Sequence, residues 1–132
     1  MQGTIEWKTP RIGSEFYNAL DPRLKGLIHT LADWQAGRLD LPLVITCIIR
    51  DPIENAQVNG RPQSAHIMVP GQTYARAIDI RNHDLTEKQQ EDRRAFIQIW
   101  NRGLPSPMFH VIDHNSGHGN HTHININQLY KI

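Results

Sequence analysis

The chain has 132 residues, a formal charge of +1, 39% hydrophobic and 20% charged residues, which is the profile of one ordinary soluble domain with a single core. The near-neutral balance excludes a polybasic face for nucleic acid and an acidic tail, and a single cysteine, Cys47, excludes an internal disulfide. No apolar run approaches the ~18 residues of a membrane span and Met1 to Lys8 lacks the apolar stretch of a secretory signal, so the expectation is one unrepeated domain over residues 1–132, synthesised in the cytoplasm.

Asp21-Pro22-Arg23 sets an N-cap residue before a proline at the first helical position, and Leu24, Leu27, Ile28, Leu31 and Trp34 recur at helical spacing until Gly37. That predicts a helix. His29 on it has no partner ligand four residues on and reads as a surface or packed histidine. Leu43 to Ile49 is a continuous run rich in β-branched residues, which predicts a buried strand ended by Arg50-Asp51-Pro52, with Cys47 as a structural thiol in the core. A loop with Asn59-Gly60 and Arg61-Pro62 follows.

Strand character returns at Ala77 to Ile80. Thr86 to Arg102 predicts a second helix, capped by Thr86 with Gln89 three residues on and stopped at Gly103. Its charged first half is expected in solvent, with Phe96, Ile97 and Trp100 against the body. Met108 to Asp113 and Thr122 to Asn127 predict two further strands around the turn-forming segment Asn115 to Asn120. Together these elements predict an α+β fold with a small, mainly antiparallel sheet and flanking helices.

Five of the eight histidines fall between His110 and His123, a composition that suits metal binding or catalysis better than a core. Strand alternation puts His121 and His123 on one face, so both imidazoles can address one cleft. Upstream, Ser64-Ala65-His66 supplies another imidazole, and in Ala77-Ile78-Asp79-Ile80 the carboxylate faces away from its isoleucine neighbours. Two imidazoles and a carboxylate form a common catalytic zinc set, which leaves a fourth position for a water whose pKa falls to about 7.

In this order the motifs resemble the LAS group of zinc peptidases, named for lysostaphin, D-alanyl-D-alanine carboxypeptidases and the sonic hedgehog domain. The likeness is greatest to the D-alanyl-D-alanine peptidase branch and its phage-encoded peptidoglycan peptidases. Val44 to Arg50 looks like that branch's strand ending in arginine, Asn55, Val58, Asn59 and Gly60 look like its loop, and Ser64-Ala65-His66 looks like Ser-x-His. Ala75-Arg76-Ala77-Ile78-Asp79-Ile80 resembles Gly-x-Ala-x-Asp-Ile with alanine for glycine, and His121-Thr122-His123 resembles His-x-His. The resemblance covers about residues 20–127.

It implies a hedgehog-like or D-alanyl-D-alanine peptidase-like fold, a zinc ion held by His66, Asp79 and His123, and hydrolysis of an amide next to a D-amino acid in a peptidoglycan stem peptide or cross-bridge. Arg50 would hold a substrate carboxylate or carbonyl through its planar fork, and Ser64 would orient His66 or the substrate. The chain departs from the pattern twice. His66 and Asp79 are 13 positions apart where the family has seven, which makes Met68 to Thr73 look like an insertion. Asn120 stands where many relatives carry an acid, which passes the general-base role to His121 first and Asp113 second, with His118 as a further candidate. His121 is equally suited to stabilising the oxyanion of the intermediate.

The implied setting is the bacterial cell wall, reached by a phage lysis enzyme through a holin or carried on a virion. The alternative is a non-catalytic structural or virion component on the same fold. A third reading is a metal-binding module that uses His114 and His118 as extra ligands.

Overall fold

Each of the three α-helices among the described residues starts at a local chemical signal. Thr9 accepts from Ile12 N and is followed by Pro10, opening α1 (Pro10–Asn18). Asp21 accepts from Arg23 N and is followed by Pro22, opening α2 (Pro22–Leu39). Thr86 and Gln89 form a reciprocal capping box at the start of α3 (Glu87–Ile99). A side-chain oxygen on an otherwise unpaired N–H is worth about 1 kcal/mol at the starts of α2 and α3, whereas Ile12 N at α1 also meets Thr9 O at 3.1 Å. α2 runs through Gly37 and stops where Asp40 takes a left-handed conformation with φ 55°; the turn after α3 closes at Gly103 with φ 80°.

The computed structural model describes residues 3–51, 65–115 and 120–130. Five strands, β1 (Ile5–Trp7), β2 (Leu43–Cys47), β3 (Ala77–Arg81), β4 (Phe109–His114) and β5 (His121–Ile126), form one sheet in the order β1-β2-β3-β5-β4. β1 pairs with β2 in parallel and the other three pairings are antiparallel. The fold is thus α+β with a mixed, mainly antiparallel sheet. None of the described helices is long and apolar enough to cross a membrane.

One face of the sheet carries Leu43, Ile45, Ile78, Ile80, Phe109, Ile124 and Ile126, buried with Ile12, Phe16, Leu24, Ile28, Leu31 and Ile97 from the helices. The opposite face presents Val44, Thr46, Asp79, Arg81, His110, Ile112, His114, His121, His123 and Asn125. Alternation along the central strands therefore sorts apolar from chemical residues.

β1 and α1 are additions to the sequence-based reading. Thr9-Pro10 with Ile12 and Phe16 four apart was a legible start signal, and a helix of this length gains its stability by burying those two residues. α3 differs in its outward faces: Ile97 is buried and Phe96 stacks on Trp34 with ring centroids 5.3 Å apart, but Trp100 is exposed. Its charged first half is solvated apart from Gln90, 6% exposed, and Arg93, which is 1% exposed and enters the core.

Candidate metal centre

Asp79 occupies the middle of β3, the central strand, with His123 of β5 as its register partner on one side and Cys47 of β2 on the other. His66 reaches the same point from the loop after β2. Its backbone carbonyl accepts from Arg50 N at 3.1 Å, and its Nδ1 lies 2.9 Å from Ile48 O. The stretch Met68 to Thr73 closes as a turn around Gly71, with Gln72 N on Val69 O, and the chain returns to the α1–α2 connection, where Ala75 and Leu20 form a bridge. A segment tethered at both ends absorbs extra residues at small entropic cost, so the 13-residue separation still brings His66 onto Asp79.

Three ligand-type atoms converge. His66 Nε2 is 3.0 Å from Asp79 Oδ1, His123 Nδ1 is 2.9 Å from the same oxygen, and the two nitrogens are 3.2 Å apart. The outer nitrogens are committed elsewhere. His66 Nδ1 donates to Ile48 O, and His123 Nε2 meets Asn125 Oδ1 at 3.0 Å while Asn125 Nδ2 donates to Ile126 O. With each neutral ring donating through its outer N–H, both inner nitrogens present lone pairs to a carboxylate. His66 and Asp79 are 4% and 2% exposed, so water does not relieve that repulsion. The cluster requires a positive charge at its centre.

In the metal-free chain a proton supplies it. Burial pulls the His66 pKa down, but hydrogen bonds to Asp79 and Cys47 and their charges outweigh it and push the value up to about 10. Burial likewise works to raise Asp79, and the contacts from His123 and His66 hold its carboxyl well below the usual carboxylate range. A metal cation is the other solution. Cys47, His66 and Asp79 each bring a ligand atom within 4.8 Å of the others and can hold a metal ion.

Cys47 is thus not the core thiol that its apolar surroundings predict. Ile45 pairs with Ile80 on the core face, and an unbroken strand would put Cys47 on that face too. A bulge between them shifts the register so that Cys47 pairs with Asp79, and a slip of one residue exchanges the faces of a strand. Its Sγ lies 3.7 Å from His66 Nδ1 and 3.5 Å from Arg50 Nη2.

The other expected site residues divide. Arg50 joins the cluster, with Nη2 3.7 Å from Asp79 Oδ2, and His121 joins it from β5, with Nε2 3.7 Å from that same oxygen. His114 stacks at a tilt on His121, ring centroids 4.8 Å apart. Ser64 and His118, with Asn55, Val58, Asn59 and Gly60, lie outside the described residues. His29 is exposed against the edge of Phe16, far from this chemistry.

Asp113 does not reach the cluster. It pairs with Thr122, so it faces the helices, where it accepts from Arg94 and from the Thr122 hydroxyl. Arg93 completes the network, donating to Gln35 Oε1 at 2.8 Å and to Thr122 Oγ1 at 2.7 Å. Burial lowers the Arg93 pKa to about 10 against the pull of Asp113 and Asp84, which leaves it charged at neutral pH. Sequence reasoning missed this network. The alternation of Phe109, Val111 and Asp113 was its one visible sign. No protein-family model, curated protein or solved structure matches this chain.

Proposed function

We propose that the chain is a zinc-dependent peptidase that hydrolyses an amide next to a D-amino acid in a peptidoglycan stem peptide or cross-bridge, on a fold of the hedgehog and D-alanyl-D-alanine peptidase kind. The observation that carries this reading is the triangle of His66 Nε2, Asp79 Oδ1 and His123 Nδ1, with sides of 2.9 to 3.2 Å. Ligand atoms about 2.0 Å from a tetrahedral zinc are about 3.3 Å apart, and His, His and carboxylate with an open position suit zinc over softer or harder cations. Ile48 O and Asn125 Oδ1 are the acceptors that metal-bound imidazoles use to fix their tautomers. Cys47 is the poorer third ligand, because the His66 nitrogen nearest to it is the one committed to Ile48 O.

Bound there, zinc supplies a Lewis acid for the scissile carbonyl and lowers the pKa of a water to about 7. The protein's own groups supply the rest. His121 is partly exposed and near Asp79, so it takes the proton of the attacking water at Nε2 and passes it to the leaving amine, or donates from Nε2 to the developing oxyanion. Arg50 directs its guanidinium at a substrate carbonyl or carboxylate. Asp113, turned to the other face, takes no part, which concentrates proton transfer on His121. The order of the motifs supports peptidoglycan as substrate, and with it action at the bacterial wall by a phage-encoded protein, free or virion-borne.

The test is muropeptide release from purified peptidoglycan, read by mass spectrometry, for zinc-loaded protein, His123→Ala and a chelated control. Defined fragments from the wild type alone establish the peptidase and its bond. Intact sacculi with one zinc per chain sink it in favour of a non-catalytic structural component, the reading that Asn120 in place of an acid favours.

A further inference from the structure

Two cavities lie toward opposite ends of β3, one bordered by Arg50 and the other by His121, the two residues that reach Asp79 Oδ2. β2 runs antiparallel to β3, so the segment after Cys47 lies toward Ala77, while Val44 and Thr46 lie toward Arg81. The cavity on the first side, about 300 Å³, is reached through Arg50 and mixes the charges of Arg11, Arg50, Glu15 and Asp51. The cavity on the second side, about 360 Å³, is lined by Lys8, Val44, Thr46, Arg81, His83, Asn120 and His121. It touches the metal centre through His121, whose Nε2 is 3.7 Å from Asp79 Oδ2.

The second cavity has a one-sided chemistry. Lys8 and Arg81 are cationic, His83 and His121 are imidazoles, Thr46 and Asn120 add neutral donors, and no carboxylate is among the described lining residues. Arg81 is shared with Asp84 at 3.1 Å, and among the described residues its buried Nε has no hydrogen-bond partner, an unmet donor of the kind that costs stability. Lys8 stands exposed at the end of β1, anchored by its backbone N–H to Ile45 O at 2.9 Å. Donors and positive charge gathered beside a reactive centre select anions.

We propose that this cavity is a carboxylate-recognition subsite, and that the substrate is a peptide that crosses the metal centre from Arg50 toward Lys8 and carries an acidic group on the Lys8 side of the scissile amide. The subsite rests on the peptidase reading for its role, since it names which substrates that site takes. Its ligand chemistry stands on the cavity alone. Lys8 and His83 carry the discrimination because Asp84 partly neutralises Arg81.

Two isosteric probes test it: N-acetylglutamate α-amide, which bears one carboxylate, and N-acetylglutamine α-amide, which bears none. Binding to the zinc-loaded and the chelator-treated protein is followed by amide chemical shifts, with Lys8→Glu and His83→Gln as variants at exposed positions that leave the core intact. The acidic probe is expected to bind in both metal states with shifts at Lys8, Thr46 and Asn120, to bind about tenfold tighter than the amide, and to lose that margin in Lys8→Glu. Equal binding of the two probes, or an acidic-probe affinity indifferent to Lys8→Glu and His83→Gln, overturns the subsite. Intact sacculi with the probe preference retained overturn the peptidase and keep the subsite; muropeptide release without the preference does the reverse.

Discussion

His66 Nε2 and His123 Nδ1 face each other at 3.2 Å, although each ring has an acceptor for its hydrogen on the far side, Ile48 O for one and Asn125 Oδ1 for the other. Two lone pairs at that distance, with the Asp79 carboxylate against both, define a place for a cation. At the proposed zinc site a metal ion would therefore compete with a proton for the same lone pairs.

That coupling sets the pH dependence of metal binding. His66 in the metal-free chain titrates at about 10, so at neutral pH the metal must displace one proton. Apparent zinc affinity is expected to rise about tenfold per pH unit between pH 6 and 8, with one proton released per zinc; calorimetry in buffers of different ionisation enthalpy measures both.

Stability without metal should run the opposite way. His66 is raised from 6.5 to about 10, so its contribution is full below pH 6.5 and is lost as pH rises through 10. Asp79 is lowered from 3.8, so its contribution is present above that value and is lost as pH falls through the depressed one. The chelated protein is expected to have its highest Tm between about pH 4 and 6.5 and to weaken toward pH 10, whereas the zinc-loaded protein gains from pH 6 to 8. Parallel melting curves across that range decide it.

Ligand identity is read by metal content. His123→Ala is expected to lose stoichiometric zinc and Cys47→Ser to retain it; the reverse result would make Cys47 the third ligand. Asn125→Ala removes the acceptor that orients His123, together with its own bond to Ile126 O, and is expected to weaken zinc about 10- to 100-fold, as loss of such an outer partner does.

His121→Ala is expected to keep its zinc and lose roughly 10²- to 10⁴-fold in kcat, the usual share of a proton-transfer group. Unchanged turnover would remove His121 from the chemistry.

Asp113→Ala should act on stability instead. It leaves the Thr122 hydroxyl and the Arg94 guanidinium without their acceptor, a loss of about 1–3 kcal/mol, while activity per folded molecule stays near that of the wild type. Denaturant melts set beside muropeptide release separate the two effects.

Much of the fold was legible because its signals are local. Asp21-Pro22 and the Thr86–Gln89 box start helices through hydrogen bonds made within a few residues, and His121-Thr122-His123 could be assigned two faces from strand alternation alone. α1 escaped although Thr9-Pro10 announced it, since a run of nine residues shows little more than one apolar repeat. Arg93 escaped because it sits in a charged run after Glu91 and Asp92, which are exposed, and only the approach of Gln35 from α2 and Thr122 from β5 makes a buried guanidinium tolerable.

By itself the sequence determined the helix starts, the alternating strands and the residue types that gather at Asp79, all of which depend on neighbours in the chain. Only the tertiary structure decided which of those residues meet. Whether a side chain belongs to the core or to the centre depends on register between two strands. One bulge beside Ile45 carried Cys47 to Asp79, and pairing with Thr122 turned Asp113 to the helices. Register belongs to a pair of strands, and no stretch of one strand contains it.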